Sequence, residues 1–173
     1  MKNESAFKSL FRASVRAQKG YTVTLAAPML AGTPDLYCIM PKYIPLLLEA
    51  KWLKDLPDKG FKRTIPFKPM QLHYMKSINK VHMNAAVGLI GFEWRKEIYC
   101  LIYKVYDGVP NVLQSDDLAH HAFVIRQDKV FDVRLLFNLA GVSLIEEYKD
   151  TVDTTGLAGF NPPIIIFAET SLN

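Results

Sequence analysis

The segment PMQLHYMKSINKVH, residues 69–82, constrains the fold more than any other part of the chain. It reads as a helix, with Pro69 in the first turn, where a missing N–H costs nothing. It stands between strand-like runs, LLLEAK (46–51) before it and AAVGLIGFEW (85–94) after it. A helix that carries the chain from one strand to another implies a crossover, and hence a mixed α/β sheet.

The remaining elements fit that plan. Residues 4–19 predict a second helix: Phe7, Leu10, Phe11, Ser14 and Val15 form one stripe at helical spacing, Asn3 or Ser5 can cap its start, and Gly20 marks its end. YTVTLAA (21–27), DLYCIM (35–40) and LLLEAK (46–51) predict three strands, and EIYCLIYKVY (97–106) pairs with 85–94 as a hairpin across Arg95 and Lys96. Residues 52–69 read as a loop. Further on, a short strand around 121–126, a helix around 131–140 and the apolar run IIIFA (164–168) are expected.

Only Cys38 and Cys100 are present, each inside a run that reads as a buried strand, so both are expected as reduced core residues. No apolar run has the length of a membrane span, and the first residues lack the apolar stretch of a signal peptide. The expected location is therefore cytoplasmic, with no membrane partner. The net charge of +4 is unevenly spread. Residues 1–106 hold 17 Lys and Arg against 7 Asp and Glu, a net of +10, while residues 107–173 hold 4 against 10, a net of −6. A basic body fits a polyanionic partner, with a solvated basic surface as the competing reading. The sequence divides accordingly into a core, 1–106, and an acidic C-terminal extension, 107–173, packed on the core or at a dimer interface.

Chemistry concentrates in PDLYCIMPKYIPLLLEAK, residues 34–51. Strand side chains alternate faces, so Leu47, Glu49 and Lys51 share one face of 46–51. If 35–40 and 46–51 are antiparallel neighbours, the start of one lies beside the end of the other, and Asp35 faces Glu49. Two such carboxylates repel, and a divalent cation removes the penalty. An all-oxygen set, Asp35, Glu49 and the Ala50 carbonyl, suits Mg²⁺ or Mn²⁺ rather than zinc. Lys51 stands beside it, placed to orient or help deprotonate an attacking water. Those are the parts that metal-assisted phosphodiester hydrolysis requires.

Pro34-Asp35 followed by Glu49-Ala50-Lys51 on the next strand resembles the PD-(D/E)xK nuclease superfamily. The resemblance covers roughly residues 4–106. It implies a restriction-endonuclease-like core of α-β-β-β-α-β order, a mixed central β-sheet flanked by helices. It also implies two further site residues: Glu4, matching a glutamate on the N-terminal helix that completes the metal site, and Gln71, matching a glutamine early in the next helix of junction resolvases and virus-type replication-repair nucleases. The catalytic set implied is then Asp35, Glu49, Lys51, Glu4 and Gln71, with Asp35, Glu49, Ala50 and Glu4 at the metal. Lys8, Arg12 and Arg16 repeat every four residues along the first helix, and Lys54, Lys59, Lys62, Arg63 and Lys68 follow in the loop, interleaved with Trp52 and Phe61. These cations are the expected DNA contacts, the aromatics offering stacking surfaces. The implied activity is a Mg²⁺-dependent deoxyribonuclease acting as a homodimer on branched DNA, resembling Holliday-junction resolvases. Restriction, nicking or repair exonuclease activity of the same fold is the nearest alternative, and a catalytically idle DNA-binding module the more distant one.

Overall fold

A computed structural model describes residues 3–25, 32–54, 56–57, 61–82, 84–94, 96–107, 111–114, 123–125 and 130–140. Its elements are α1 (Glu4–Ala17), β1 (Tyr21–Thr24), β2 (Leu36–Ile39), β3 (Leu46–Leu53), β4 (Lys62–Thr64), α2 (Pro69–Val81), β5 (Ala86–Trp94), β6 (Glu97–Lys104), β7 (Val112–Gln114), β8 (Phe123–Ile125) and α3 (Val133–Ala140). Six strands form one sheet in the order β1-β2-β3-β5-β6-β8, and β4 pairs with β7 in a separate two-stranded sheet. The chain runs antiparallel through β1, β2 and β3, crosses over α2, and returns as β5 parallel to β3; β5 and β6 form the antiparallel hairpin. The fold is mixed α/β with a central sheet flanked by helices. The short strand β4 interrupts the α-β-β-β-α-β order but lies outside the central sheet.

Each face of the sheet has its own apolar layer. On one, Phe7, Phe11 and Val15 of α1 and Val133, Leu136, Phe137 and Ala140 of α3 pack with Leu46, Leu48, Ala50 and Trp52. On the other, Met75 of α2 packs with Phe67, Ile90, Phe92 and Tyr103. Asn3 caps α1, its side chain accepting from the Ala6 N–H at 2.9 Å. At the other end Lys19, not Gly20, takes the left-handed conformation (φ 63°), and the N–H groups of Lys19 and Gly20 close on the carbonyls of Arg16 and Val15.

Gly91 lets α1 approach closely. A Cβ there would stand 2.5 Å from the Phe7 ring, which itself packs against Trp52 at 5.7 Å between ring centres. Gly91→Ala is therefore expected to force α1 off the sheet and cost about 1–3 kcal/mol, the usual penalty of overpacking. A thermal melt reads this directly; an unchanged midpoint would show that α1 can shift freely.

Two expectations need correction. β3 continues to Leu53 instead of ending at Lys51, because Trp52 and Leu53 keep the alternation and bury one on each face. Trp52 and Phe61, read from sequence as loop aromatics open to bases, are thus core residues, 8% and 4% exposed. The described residues after 106 pack with the body: β8 extends the central sheet, β7 holds β4, and α3 completes the α1 layer. The expected strand at 164–168 and Lys59 lie outside the described residues. Cys38 and Cys100 are free and buried, and burial pushes the Cys38 thiol up to about 12. Among the described residues, no helix is long and apolar enough to cross a membrane.

Candidate functional site

β2 and β3 are paired with Leu36 opposite Leu48, which carries Asp35 to a position across from Glu49. The ladder has ended there. The Ala50 N–H has no strand partner on that side and donates to Asp35 Oδ2 at 3.0 Å. Ala50 thus enters the site through its N–H, which fixes the aspartate.

Glu49 is fully buried, a rare position for a carboxylate. Its oxygens are treated unequally. Oε1 receives both the Lys51 ammonium at 2.5 Å and the Gln71 Nε2 at 2.5 Å. Oε2 is buried and has no hydrogen-bond partner. Burial raises the Glu49 pKa and the hydrogen bond from Lys51 lowers it. The charge of Asp35 raises it again, and the outcome is about 7 against an ordinary 4.5. Lys51 lies two residues along the same strand and is 8% exposed, an interior position that the early end expected for β3 had hidden.

Gln71 reaches Glu49 from α2. Its Oε1 accepts the Lys68 backbone N–H at 2.9 Å, so one side chain caps the helix and donates to the carboxylate. The helix start and the site geometry are therefore the same contact.

Glu4 and Lys8 come from the first turns of α1. Lys8 Nζ lies 2.9 Å from Glu4 Oε1 and 2.8 Å from Asp35 Oδ1. Burial lowers the Lys8 pKa, but hydrogen bonds to Asp35 and Glu4 outweigh it and leave the ammonium more firmly protonated than usual. The structure thus gathers Glu49, Lys51 and Gln71 in one contact group and Asp35, Lys8 and Glu4 in another, the two meeting where Asp35 accepts the Ala50 N–H. The sequence row Lys8, Arg12, Arg16 does not act as a unit: Lys8 turns into the acidic site, Arg12 is half-buried and Arg16 is exposed. Lys54, Lys62, Arg63 and Lys68 are exposed, and Lys68 is the N-cap residue of α2, in hydrogen-bond contact with Gln71.

The donor set can be tested against a divalent cation. Among the described residues no three His, Cys, Asp or Glu side chains are grouped closely enough to hold a metal ion, and Lys8 stands between Glu4 and Asp35. Two carboxylates remain, one of them with a buried oxygen lacking any partner. Mg²⁺ is commonly held by one or two carboxylates together with waters and substrate phosphates, so Asp35 and Glu49 fit a hard divalent cation without a third protein ligand. Neither the known protein-family models nor the curated proteins contain a match to this chain.

Proposed function

We propose that this protein is a metal-dependent DNA endonuclease of the PD-(D/E)xK type, with a restriction-endonuclease-like core, using Mg²⁺ or Mn²⁺. The observation that carries the reading is the unpartnered, buried Oε2 of Glu49 beside Asp35, in a site that also holds Lys51 and Gln71. Lys51 already pairs with Oε1, and a cation bound at Oε2 would remove the cost of leaving that buried oxygen without a partner. The mixed α/β fold, a central sheet flanked by helices, is compatible with that family, while β4 between β3 and α2 departs from its α-β-β-β-α-β order.

Asp35 and Glu49 would hold the cation. A divalent cation there supplies Lewis acidity, polarising a phosphodiester oxygen and lowering the pKa of a water. The chain's own groups do the rest. Gln71 Nε2 and the Ala50 N–H fix the two carboxylates in orientation. Lys51 Nζ uses one N–H on Glu49 Oε1 and keeps two more, which can hold the attacking water or a phosphate oxygen. The exposed cations Lys54, Lys62, Arg63 and Lys68 and the net +10 of residues 1–106 supply the attraction for the DNA backbone. The preference for branched DNA and the homodimer rest on the resemblance to Holliday-junction resolvases.

Incubation with linear, nicked, flapped and four-way DNA tests the proposal. Cleavage is expected with Mg²⁺ or Mn²⁺, with the four-way junction cut best; Ca²⁺, whose looser coordination acidifies water less, should support binding with little cutting. Full turnover in EDTA would sink the reading. One feature favours the idle DNA-binding alternative, namely Lys8, which already neutralises Glu4 and Asp35. DNA binding without cleavage under every divalent cation would decide for it.

A further inference from the structure

Lys8 stands against Asp35, which the nuclease reading assigns to its cation. Its ammonium touches Asp35 Oδ1 and Glu4 Oε1, at 2.8 and 2.9 Å. Both oxygens of Asp35 are engaged: Oδ1 faces Lys8 and Oδ2 is held by the Ala50 N–H. A divalent cation drawn to Asp35 therefore meets an ammonium already in hydrogen-bond contact with its ligand. A charge of +2 and a charge of +1 about 4 Å apart repel by ~2 kcal/mol even in water, and by more where solvent is partly excluded. The two compete for Asp35 in this arrangement.

Lys8 can leave. It stands on a surface helix with a flexible four-carbon stem, and its side chain is 25% exposed. Glu49 differs, since its Lys51 partner is fixed inside a strand and almost enclosed. The site thus has one fixed ammonium and one that can withdraw.

Resting on the nuclease reading, we infer that Lys8 is a displaceable counter-ion: it holds Glu4 and Asp35 together, withdraws when a divalent cation takes Asp35, and then pairs with a phosphate of the DNA backbone. Lys8 is a positioning residue whose two anionic partners, carboxylate and phosphate, alternate. Metal and DNA binding are thereby coupled. DNA offers Lys8 somewhere to go, so each ligand should strengthen the other, and by the same factor.

The test uses Ca²⁺, which keeps DNA intact, and calorimetry as the readout. Wild type should bind Ca²⁺ weakly alone and about tenfold more tightly with a saturating DNA duplex, a coupling of the usual size. Lys8→Met should bind Ca²⁺ about tenfold more tightly than wild type without DNA, and should lose most of the enhancement by DNA. Lys8→Arg, which keeps the ion pairs, should behave like wild type. Lys8→Gln replaces Lys8→Met if the latter melts early. If wild type binds Ca²⁺ but neither neutral variant binds it more tightly, Lys8 is a fixed structural pair and the inference fails alone. If no form of the protein binds a divalent cation, the nuclease reading fails and takes the inference with it.

Discussion

Replacing Glu49 with glutamine is expected to abolish cleavage and, in the same protein, to raise the melting temperature at pH 8. The first effect follows from losing a charged oxygen at the cation, and should amount to about 10³-fold or more in rate. The second follows from burial. Glu49 is fully buried and its pKa stands at about 7, against an ordinary 4.5. A carboxylate whose pKa is raised by folding stabilises the native state fully below the unfolded value. That contribution is lost as pH rises from about 4.5 through about 7. Above pH 7 the charged, buried form is a net liability to the fold. Glutamine stays neutral, so the variant should melt higher than wild type at pH 8 and lack the decline between pH 5 and 8. Melts across that range, with EDTA present, measure it. A variant that loses stability at pH 8 along with activity would show Glu49 to be a structural ion-pair member.

Lys51→Met should act in the opposite direction on stability. It removes the Lys51 donor at Glu49 Oε1 and leaves the carboxylate with Gln71 alone. Breaking one side of a buried pair costs on the order of 3–5 kcal/mol while the remaining group stays charged. Glu49 can escape part of this by taking a proton, so the loss should be small at pH 5 and largest above pH 8. Cleavage should fall by about 10²–10⁴ if Lys51 Nζ serves the attacking water. Stability and rate are both read over the same pH range. Turnover equal to wild type would remove Lys51 from the chemistry, and a melting temperature independent of pH would remove it from the pair.

How much of this was legible in the sequence depends on how local each signal is. Asp35, Glu49 and Lys51 could be brought together on paper because strand alternation and an antiparallel turn are short-range rules. Gln71 followed from the resemblance, with its place in the first turn of α2 marked by Pro69. Lys8 was not legible. A cation repeated at positions 8, 12 and 16 looks like a solvated helix face, and only the seating of α1 on the sheet, set by Phe7 against Trp52 and Gly91, aims one of the three at Asp35. Trp52 and Phe61 were misread because aromatics among lysines look like a binding loop, whereas β3 runs two residues further and carries Trp52 inward. The role of residues after 106 was hidden for a different reason. β4 pairs with β7 and α1 with the segment 131–134, contacts between parts of the chain too distant for any local pattern to report.

That last contact has a kinetic side. Ser14 Oγ accepts the Phe131 N–H, and Gln18 accepts the Val133 N–H and donates to the Phe131 carbonyl, so the far end of α1 is fastened to the entry of α3. Gln18 and Phe131 are 113 positions apart. At a synthesis rate of ~5–20 residues per second, roughly 6–20 s pass between the appearance of one and the other. During that interval Phe7 lacks the ring of Phe131 that later packs edge-on against it. The helix that carries Glu4 and Lys8 is therefore made first and secured last. A nascent chain holds the carboxylates of β2 and β3 before it can hold α1 firmly over them, so the site is completed only after nearly all of the described fold has left the ribosome.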